Sequence, residues 1–258
     1  SSGFIGFHLS QKLLDKGHSV HGFDSMNNYY DVKLKKARYQ ILNKYKNFFF
    51  TKGNLENQKI LSKSILNFKP KVIIHLAAQA GVRYSIEKPR VYLNSNIIGT
   101  YNVIELAKKI NVKHLIIASS SSVYGANKNF PFKEIDKTET QLSIYAATKK
   151  STESIAHSCS NLWQVPITML RFFTVYGPWG RPDMAYYLFA EAISNDKPIK
   201  VFNNGEMERD FTYIDDIVNG VTKIIERNIA DREHYKIYNI GNNKTESLQN
   251  FITTIEES

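Results

Sequence analysis

Short apolar runs alternate along the chain with segments whose apolar residues recur at helical spacing. The short runs predict strands at Val20–Asp24, Phe48–Thr51, Val72–Ala77, His114–Ser119, Ile167–Phe173, Ile199–Phe202 and Ile237–Ile240. The helical patterns predict helices at Phe4–Lys16, Lys33–Lys44, Gln58–Asn67, Val91–Ile110, Ser143–Asn161, Met184–Asn195, Asp215–Arg227 and Ser247–Glu257. Strands that alternate with helices are typical of a mostly parallel sheet that is covered on both faces. The pattern therefore predicts an α/β fold built on a doubly wound, mostly parallel sheet.

The alternation breaks after Phe173, where the run Tyr176-Gly177-Pro178-Trp179-Gly180 is typical of a loop. We therefore expect a larger sheet domain over residues 1–173. Residues 174–258 are expected to form a smaller substrate-binding part that is interleaved with the sheet.

Both ends of the sequence fall at unexpected points of this pattern. The helix at Phe4 follows Ser1-Ser2-Gly3 directly, whereas a parallel nucleotide-binding sheet needs a strand before that turn. We expect the first domain to lack its first strand and the first glycine of its loop. The last residues, Ile255–Ser258, lie inside a helical pattern, so the second domain is expected to be truncated as well.

Charge and composition limit the class of partner. The 258 residues include 34 lysines and arginines against 24 acidic residues, a formal net charge of +10. The basic residues are spread over predicted helix surfaces, which favours a solvated basic surface and an anionic small substrate, with no nucleic acid as partner. No run approaches the roughly 20 apolar residues of a membrane helix, and no secretory signal is visible. The single cysteine, Cys159, suits a reducing compartment, so we expect a cytoplasmic protein with no membrane partner.

A nucleotide-binding loop is indicated at the start of the chain. Gly3 and Gly6 lie at the head of the first helix, where glycine lets the backbone approach a pyrophosphate and the helix offers free N–H groups. Asp24 ends the next strand, 21 residues after Gly3, at the distance expected for the residue that binds the ribose hydroxyls. Because a carboxylate there repels a 2′-phosphate, the pattern favours NAD over NADP. It predicts a Rossmann-type domain.

Two further strands of this domain are followed by candidate cofactor residues. Ala77-Ala78-Gln79 comes directly after a buried strand, and small side chains there let a ligand pass close to the sheet's carboxyl edge. Asn54-Leu55 follows the preceding strand and could meet the adenine. Both segments are therefore candidates for the cofactor site.

The most informative stretch is Tyr145-Ala-Ala-Thr-Lys149 on a predicted helix. Residues i and i+4 share one helix face, so the phenol and the ammonium point into one site. A lysine and a positive nicotinamide nearby would lower the phenol's pKa and make the phenolate accessible as a base. The run from Ser119 to Gly125 closes a buried strand and adds hydroxyls at the same edge. The residues alone thus predict an NAD-dependent site that interconverts hydroxyl and carbonyl groups.

At these residues the sequence resembles the extended short-chain dehydrogenase/reductase family, and within it the UDP-glucuronate 4-epimerases. The stretches that carry the resemblance are Gly3–Gly6, His75–Arg83, Ser119–Gly125, Tyr145–Lys149, Phe173–Ala185 and Arg209–Tyr213. Within Phe173–Ala185, the piece Arg181-Pro-Asp-Met-Ala185 is the most specific for this subfamily. The sequence departs from the family pattern at Asn54, where an aspartate usually precedes the leucine.

The resemblance implies a role for individual residues. The catalytic group would be Ser120, Tyr145 and Lys149. NAD would be lined by Gly3, Phe4, Ile5, Gly6, Asp24, Asn54, Leu55, Ala77, Ala78, Gln79, Asn96, Tyr145, Lys149 and Phe172. The UDP-sugar would meet Arg83, Ser122, Thr174, Arg181, Phe202 and Arg209, with Phe202 on the uracil and Arg209 on the diphosphate. No metal is implied. Arg181 is the candidate for the uronate carboxylate, because a guanidinium fork matches a carboxylate bidentately.

The expected reaction is 4-epimerisation of UDP-glucuronate to UDP-galacturonate through a 4-keto sugar, which would serve polysaccharide precursor synthesis. Dehydratases of this family place Asp-Glu where Ser121 and Ser122 stand, and decarboxylases usually carry a glutamate at Ser122, so both are disfavoured. A UDP-glucose/UDP-galactose 4-epimerase remains an alternative, and a catalytically silent NAD-sensing protein is the alternative from another class. The family usually pairs through the helices predicted at Val91–Ile110 and Ser143–Asn161, so a homodimer is expected.

Overall fold

The protein forms a layered α/β structure in the computed structural model, which describes residues 1–199, 201, 205–206, 208–227 and 234–257. The helices are α1 (Phe4–Asp15), α2 (Val32–Leu42), α3 (Gln58–Phe68), α4 (Tyr84–Glu87), α5 (Pro89–Tyr92), α6 (Gly99–Lys109), α7 (Ile144–Trp163), α8 (Ala185–Ser194), α9 (Ile214–Glu226) and α10 (Leu248–Glu256). The strands are β1 (Val20–Asp24), β2 (Phe48–Lys52), β3 (Val72–His75), β4 (His114–Ser120), β5 (Ile167–Phe172), β6 (Thr174–Tyr176), β7 (Glu208–Tyr213), β8 (Tyr235–Ile240) and β9 (Thr245–Ser247). The predicted α/β class is confirmed.

Four parallel strands form the central sheet, in the order β3-β4-β5-β8. Strands β1 and β2 form a separate parallel pair. In a third sheet β7 pairs parallel to β6 and antiparallel to β9. The parallel strands of one sheet direct their carboxyl ends to one edge, where ligands of α/β proteins bind.

The core lies on both faces of the central sheet. Leu115 and Ile117 of β4 pack on the side of helices α6 and α7. Ile116 and Ala118, at the alternate positions, pack on the side of α1 and α9. Successive side chains of a strand point to opposite faces, so a continuous apolar strand requires a helical layer on each side. This arrangement explains why β4 is buried along its whole length.

Capping residues set the start of the helix that carries the Tyr-Lys pair. The Ser143 hydroxyl accepts a hydrogen bond from the backbone N–H of Ala146 at 3.1 Å, as an N-terminal cap does. The α7 helix therefore begins at Ile144, which places Tyr145 in its first turn and Lys149 one turn later. Asp31 and Asn57 cap α2 and α3 in the same way.

The structure differs from the sequence-based prediction in three respects. Strands β6, β7 and β9 and the short helix α4 were not predicted. The helix predicted at Val91–Ile110 contains a π-helical segment at Leu93–Ile98, between α5 and α6. The strand predicted at Ile199–Phe202 is not formed at Ile199 or Val201, the two of its residues that the structure describes. The domain division at residue 173 stays a prediction.

Candidate active site

A cleft of about 430 Å³ opens at the carboxyl edge of the sheets. Its walls come from the residues that follow successive strands, together with the first turn of α1 and the segment before α8. This placement is the one expected for the ligand site of a doubly wound α/β protein. Two of the predicted catalytic residues come from α7 and one from β4, and all three line this cleft: Ser120, Tyr145 and Lys149.

The start of α1 and the end of β1 form one end of the cleft. Gly3, the N-terminal cap of α1, has no side chain with which to satisfy the helix N–H groups. The Asp24 carboxylate also lines the cleft and accepts a hydrogen bond from the backbone N–H of Met26 at 2.9 Å. A bare helix N-terminus beside an acidic strand end fits the pyrophosphate and a ribose of a dinucleotide. The other predicted cofactor residues found in the cleft are Phe4, Ile5, Gly6, Asn54, Leu55, Ala77, Ala78, Gln79 and Phe172.

Asn96 is not among the residues that line the cleft, and it is almost fully buried. Its amide oxygen accepts from the backbone N–H of Gln79 at 2.8 Å. Its amide nitrogen donates to the carbonyl oxygen of Gln79 at 3.1 Å and to the Thr148 hydroxyl at 3.0 Å. The π-helical segment carries Asn96 and the cleft-lining Ser95 on successive residues. Asn96 thus joins Gln79, which lines the cleft, to helix α7, which carries Tyr145 and Lys149.

Lys149 is tied to the end of strand β4. Its Nζ donates to the carbonyl oxygen of Ala118 at 2.8 Å. Burial lowers the pKa of Lys149 to about 8, against the opposing charge of Glu153 one turn further along α7. Burial raises the pKa of Tyr145 above its ordinary value, contrary to the lowering expected from the sequence, and the hydrogen bond to Ser120 and the charge of Arg181 offset only part of that rise. The phenol, hydroxyl and guanidinium therefore act on one another in a single site.

A buried ion pair joins the helix and the strands that carry this site. Both carboxylate oxygens of Glu153 accept from Arg171, from Nε at 2.9 Å and from Nη2 at 2.8 Å. The Ser119 hydroxyl donates to the same carboxylate at 2.6 Å. Glu153 thereby links α7, β4 and β5, and each of these elements contributes a residue to the cleft.

Arg181 reaches the cleft from the loop after β6. Its backbone N–H donates to the Tyr186 hydroxyl at 3.1 Å, and its guanidinium binds the Asp183 carboxylate. Burial lowers the pKa of Arg181, but the hydrogen bonds and charge of Asp183 outweigh that effect and raise it. The guanidinium therefore stays charged beside Tyr145.

The other predicted substrate residues that the structure describes are not among those that line the cleft. Ser122 and Thr174 are half-buried next to segments that line the cleft, and the backbone N–H of Ser122 donates to the Ser120 hydroxyl at 3.2 Å. Arg83 and Arg209 are exposed. Phe202, predicted to stack on the uracil, lies outside the described residues.

Several residues of the cleft were not predicted: Asn27, Tyr29, Tyr30, Lys35, Met184 and Tyr186. The first four belong to the loop after β1 and the start of α2. The aromatic pair Tyr29-Tyr30, which follows the acidic end of β1, was the available signal.

Among the described residues there is no cluster of three or more acidic, histidine or cysteine side chains that could hold a metal ion. Nor does that part of the chain contain a helix suited by length and hydropathy to crossing a bilayer.

Comparison with known proteins defines the class. Residues 1–241 match the model of the NAD dependent epimerase/dehydratase family, and the chain belongs to that family. Protein CapI of Staphylococcus aureus is 50% identical over 99% of this chain and 80% of its own length. The probable UDP-glucuronate 4-epimerase of Rhizobium meliloti is 45% identical over 100% of this chain and 80% of its own. The crystal structure of the UDP-glucuronic acid 4-epimerase of Bacillus cereus, in complex with UDP-glucuronic acid and NAD, has a TM-score of 0.91 at 36% identity, over 99% of this chain and 80% of that one.

Proposed function

We propose that the protein is an NAD-dependent nucleotide-sugar 4-epimerase that converts UDP-glucuronate to UDP-galacturonate. The observation that carries this proposal is the placement of Arg181 in the same cleft as Ser120, Tyr145 and Lys149. A charged guanidinium next to a phenolic base fits a substrate that carries a carboxylate close to its reacting hydroxyl. The names of the relatives from Rhizobium meliloti and Bacillus cereus support the same substrate.

The cofactor would be held by the first turn of α1, by Asp24 on a ribose and by the wall at Ala77–Gln79. The residues present fit this cofactor because the helix start is uncapped by a side chain and an acidic residue stands beside it. NAD, when bound, supplies the acceptor for a hydride from carbon 4 of the sugar and returns that hydride later in the cycle.

Tyr145 is the proposed base and acid at the 4-hydroxyl of the sugar. It takes the proton from that hydroxyl as carbon 4 is oxidised, and gives a proton back when the inverted alcohol forms. Ser120 holds the same oxygen and passes the proton. Lys149, fixed to the Ala118 carbonyl, supplies a positive charge that favours the phenolate.

Arg181 is proposed to bind the carboxylate of the uronate. The 4-keto form of a uronic acid is a β-keto acid, which loses CO2 when the bond to the carboxylate aligns with the carbonyl π system. A guanidinium that holds the carboxylate away from that alignment preserves the acid. Ser121 and Ser122 stand where the related dehydratases carry Asp-Glu, and Ser122 stands where decarboxylases carry a glutamate, so this chain lacks the acids those reactions use.

The remaining substrate contacts are proposed from the resemblance to the family. Ser122 and Thr174 would lie near the sugar, and Arg83 would lie at the edge of its site. Arg209 and Phe202 would bind the diphosphate and the uracil.

We also propose a homodimer, a cytoplasmic location and a place in polysaccharide precursor synthesis. The π-helical segment and α6 expose the apolar side chains of Leu93, Ile98 and Tyr101, and α7 exposes Leu162. Two copies of these helices would cover one another in a four-helix contact. The reducing cytoplasm is supported by the single buried cysteine.

The test is turnover of UDP-glucuronate by the purified protein with NAD, followed by ¹H NMR. We expect UDP-galacturonate to appear, and to form about a thousandfold more slowly with Tyr145→Phe, because the proton transfer at the 4-hydroxyl is lost. The phenylalanine ring keeps the edge-on contact of Tyr145 with Tyr92, so NAD binding and folding serve as controls. Formation of a UDP-pentose would instead favour a decarboxylase. Conversion of UDP-glucose without turnover of the acid would favour the neutral-sugar epimerase, and no conversion of either with intact NAD binding would favour an NAD-sensing protein.

A further inference from the structure

Arg181 enters the cleft with its guanidinium already engaged on one edge. Its Nε donates to Oδ1 of Asp183 at 3.0 Å, and its Nη2 donates to Oδ2 of the same carboxylate. Among the described residues, Asp183 accepts both hydrogen bonds found for this side chain. A guanidinium has five N–H groups, so this pairing leaves three of them, and two of these lie on the edge formed by Nη1 and Nη2. That edge can still bind a second carboxylate bidentately.

Asp183 is itself held by a residue from the end of the cleft that α1 and β1 form. The Tyr29 hydroxyl, in the loop after β1, donates to Oδ2 of Asp183 at 2.9 Å across 154 residues of sequence. The Tyr29 ring packs against Tyr84 at 5.0 Å between centroids. Burial raises the pKa of the Asp183 carboxyl, but its bonds from Arg181 and Tyr29 outweigh burial and keep it ionised.

Gly81 makes this contact possible. A Cβ on Gly81 would lie 2.2 Å from the Tyr29 hydroxyl, and the backbone of Gly81 has a φ of +96°. Any side chain there would displace the phenol from its position against Asp183, besides straining the backbone. The glycine thus admits Tyr29 to the site.

The backbone just before Arg181 is held by a residue of helix α2. Arg38 of α2 is completely buried, and its Nη2 donates to the carbonyl oxygens of Trp179 at 2.5 Å and Gly180 at 3.1 Å. Its Nη1 donates to the Tyr30 hydroxyl at 2.9 Å. Arg38 therefore fixes the backbone just before Arg181, and Tyr29 fixes its side-chain partner Asp183.

We infer that Asp183, held by Tyr29, is a positioning residue that orients Arg181 so that the remaining edge of its guanidinium receives the sugar carboxylate. The inference rests on the proposed function, because it assigns Arg181 to that carboxylate. Asp183 does not compete with the substrate, since the two carboxylates use different edges of the guanidinium. Its contribution is specificity: it selects the acid over the neutral sugar and keeps the 4-keto acid from losing CO2.

The test compares Asp183→Asn, Tyr29→Phe and Arg181→Ala with the unmodified protein. The asparagine amide can accept from Nε or from Nη2 but not from both, and its NH2 group would face an N–H donor, so Arg181 loses its fixed orientation. For Asp183→Asn we expect KM for UDP-glucuronate to rise about tenfold, as for the loss of one charge-assisted hydrogen bond. The fraction of decarboxylated product should rise as well. Tyr29→Phe should shift both quantities in the same direction and less strongly.

Controls separate positioning from a general loss of structure. Glu191→Gln removes one exposed negative charge from the neighbouring helix α8 and should leave KM and product ratio unchanged. The affinity for UDP-glucose should be unaffected by Asp183→Asn, because a neutral sugar does not use the guanidinium edge. The double variant Tyr29→Phe/Asp183→Asn should be no worse than Asp183→Asn alone, since both changes act through one carboxylate.

The outcomes distinguish this inference from the proposed function. If Arg181→Ala lowers the preference for UDP-glucuronate over UDP-glucose and Asp183→Asn leaves it unchanged, the proposed function stands and the positioning by Asp183 is wrong. If neither variant changes that preference, the assignment of Arg181 to a carboxylate is wrong and the inference falls with it. A loss of preference in both, with an unchanged affinity for NAD, is the result we expect.

Discussion

The ammonium of Lys149 donates to the carbonyl oxygen of Ala118 at 2.8 Å, so the lysine of helix α7 is tied to the end of strand β4. The same strand ends two residues later at Ser120, and the same helix carries Tyr145 one turn earlier. One hydrogen bond thus sets the spacing between the elements that supply the catalytic group. Burial of this ammonium, with Glu153 as a partial counter-charge, lowers its pKa to about 8.

The first prediction concerns stability against pH. The unfolded chain keeps Lys149 protonated up to its ordinary pKa of 10.5, whereas the folded protein releases that proton near 8. Between these values the unfolded state binds more protons, so this residue makes the free energy of unfolding rise with pH. Below pH 8 the cost of burying the charge is fully present. Urea melts of the protein and of Lys149→Met should be measured at pH 7 and pH 10. The free energy of unfolding of the unmodified protein, relative to that of the variant, should rise by about 2 kcal/mol between these pH values. A difference between the two proteins that is independent of pH would contradict this.

A second prediction concerns the buried ion pair. Glu153→Gln removes a carboxylate that is bonded bidentately to Arg171, and it leaves a buried cation without its partner charge. We expect the free energy of unfolding to fall by about 3 kcal/mol, measured by urea denaturation. Because the charge of Glu153 raises the pKa of Lys149, the alkaline limb of the kcat profile should also move to lower pH.

The matched control for that prediction is Lys150→Ala. Lys150 lies 3.8 Å from the Glu153 carboxylate but is partly exposed, so its loss should cost about 0.5 kcal/mol and leave the pH profile in place. A Glu153→Gln variant with lower stability but an unshifted alkaline limb would mean that Glu153 supports the fold without tuning Lys149.

A third prediction concerns Gly125, which ends the short helical turn Ser121–Tyr124 after β4. Its φ is +57°, and a Cβ there would lie 1.9 Å from the carbonyl oxygen of Thr140. Gly125→Ala should destabilise the protein by more than about 2 kcal/mol, because the backbone would have to move. Gly220→Ala in α9 is the control, since its Cβ would meet only ordinary contacts at 3.8 Å. That change should stabilise the protein by about 1 kcal/mol. Equal effects of both variants in thermal denaturation would refute the steric argument.

A fourth prediction concerns assembly. Ile98 is about half exposed on the π-helical segment, on the face that we propose for the homodimer. Ile98→Asp should place two charges in the centre of that contact and convert a dimer into a monomer, measured by light scattering over a range of concentrations. Ile135→Asp is the control, because Ile135 is even more exposed but lies in the loop between β4 and α7. A monomeric mass for the unmodified protein at all concentrations would contradict the dimer itself.

The local elements of this protein could be predicted from its sequence. The continuous apolar run of β4 and the Ser143 cap of α7 are encoded by neighbouring residues, so the apolar pattern and cap chemistry place them to within a few residues. The pairing of Tyr145 with Lys149 follows from the helix alone, since i and i+4 share a face. The short strands β6, β7 and β9 were missed because they depend on pairing with distant strands more than on their own composition.

The contacts that complete the site could not be predicted because they join distant parts of the chain. Tyr29 meets Asp183 only through the path of two loops, and no local pattern specifies that approach. The bond that Asn96 forms with Gln79 could not be predicted either, since it depends on how the π-helical segment packs against the residues after β3. Glu153 and Arg171 carry charges within segments predicted as helix and strand, and only the packed structure shows that they form one buried pair.

In the proposed reaction, carbon 4 of UDP-glucuronate is oxidised and reduced again within one site. The most direct measurement uses UDP-glucuronate carrying deuterium at carbon 4, incubated with the protein and NAD, with the products examined by NMR and mass spectrometry. We expect UDP-galacturonate that keeps the deuterium at carbon 4, because the hydride that leaves this carbon returns to it. UDP-galacturonate without the label, or a labelled UDP-pentose as the main product, would contradict the proposed reaction.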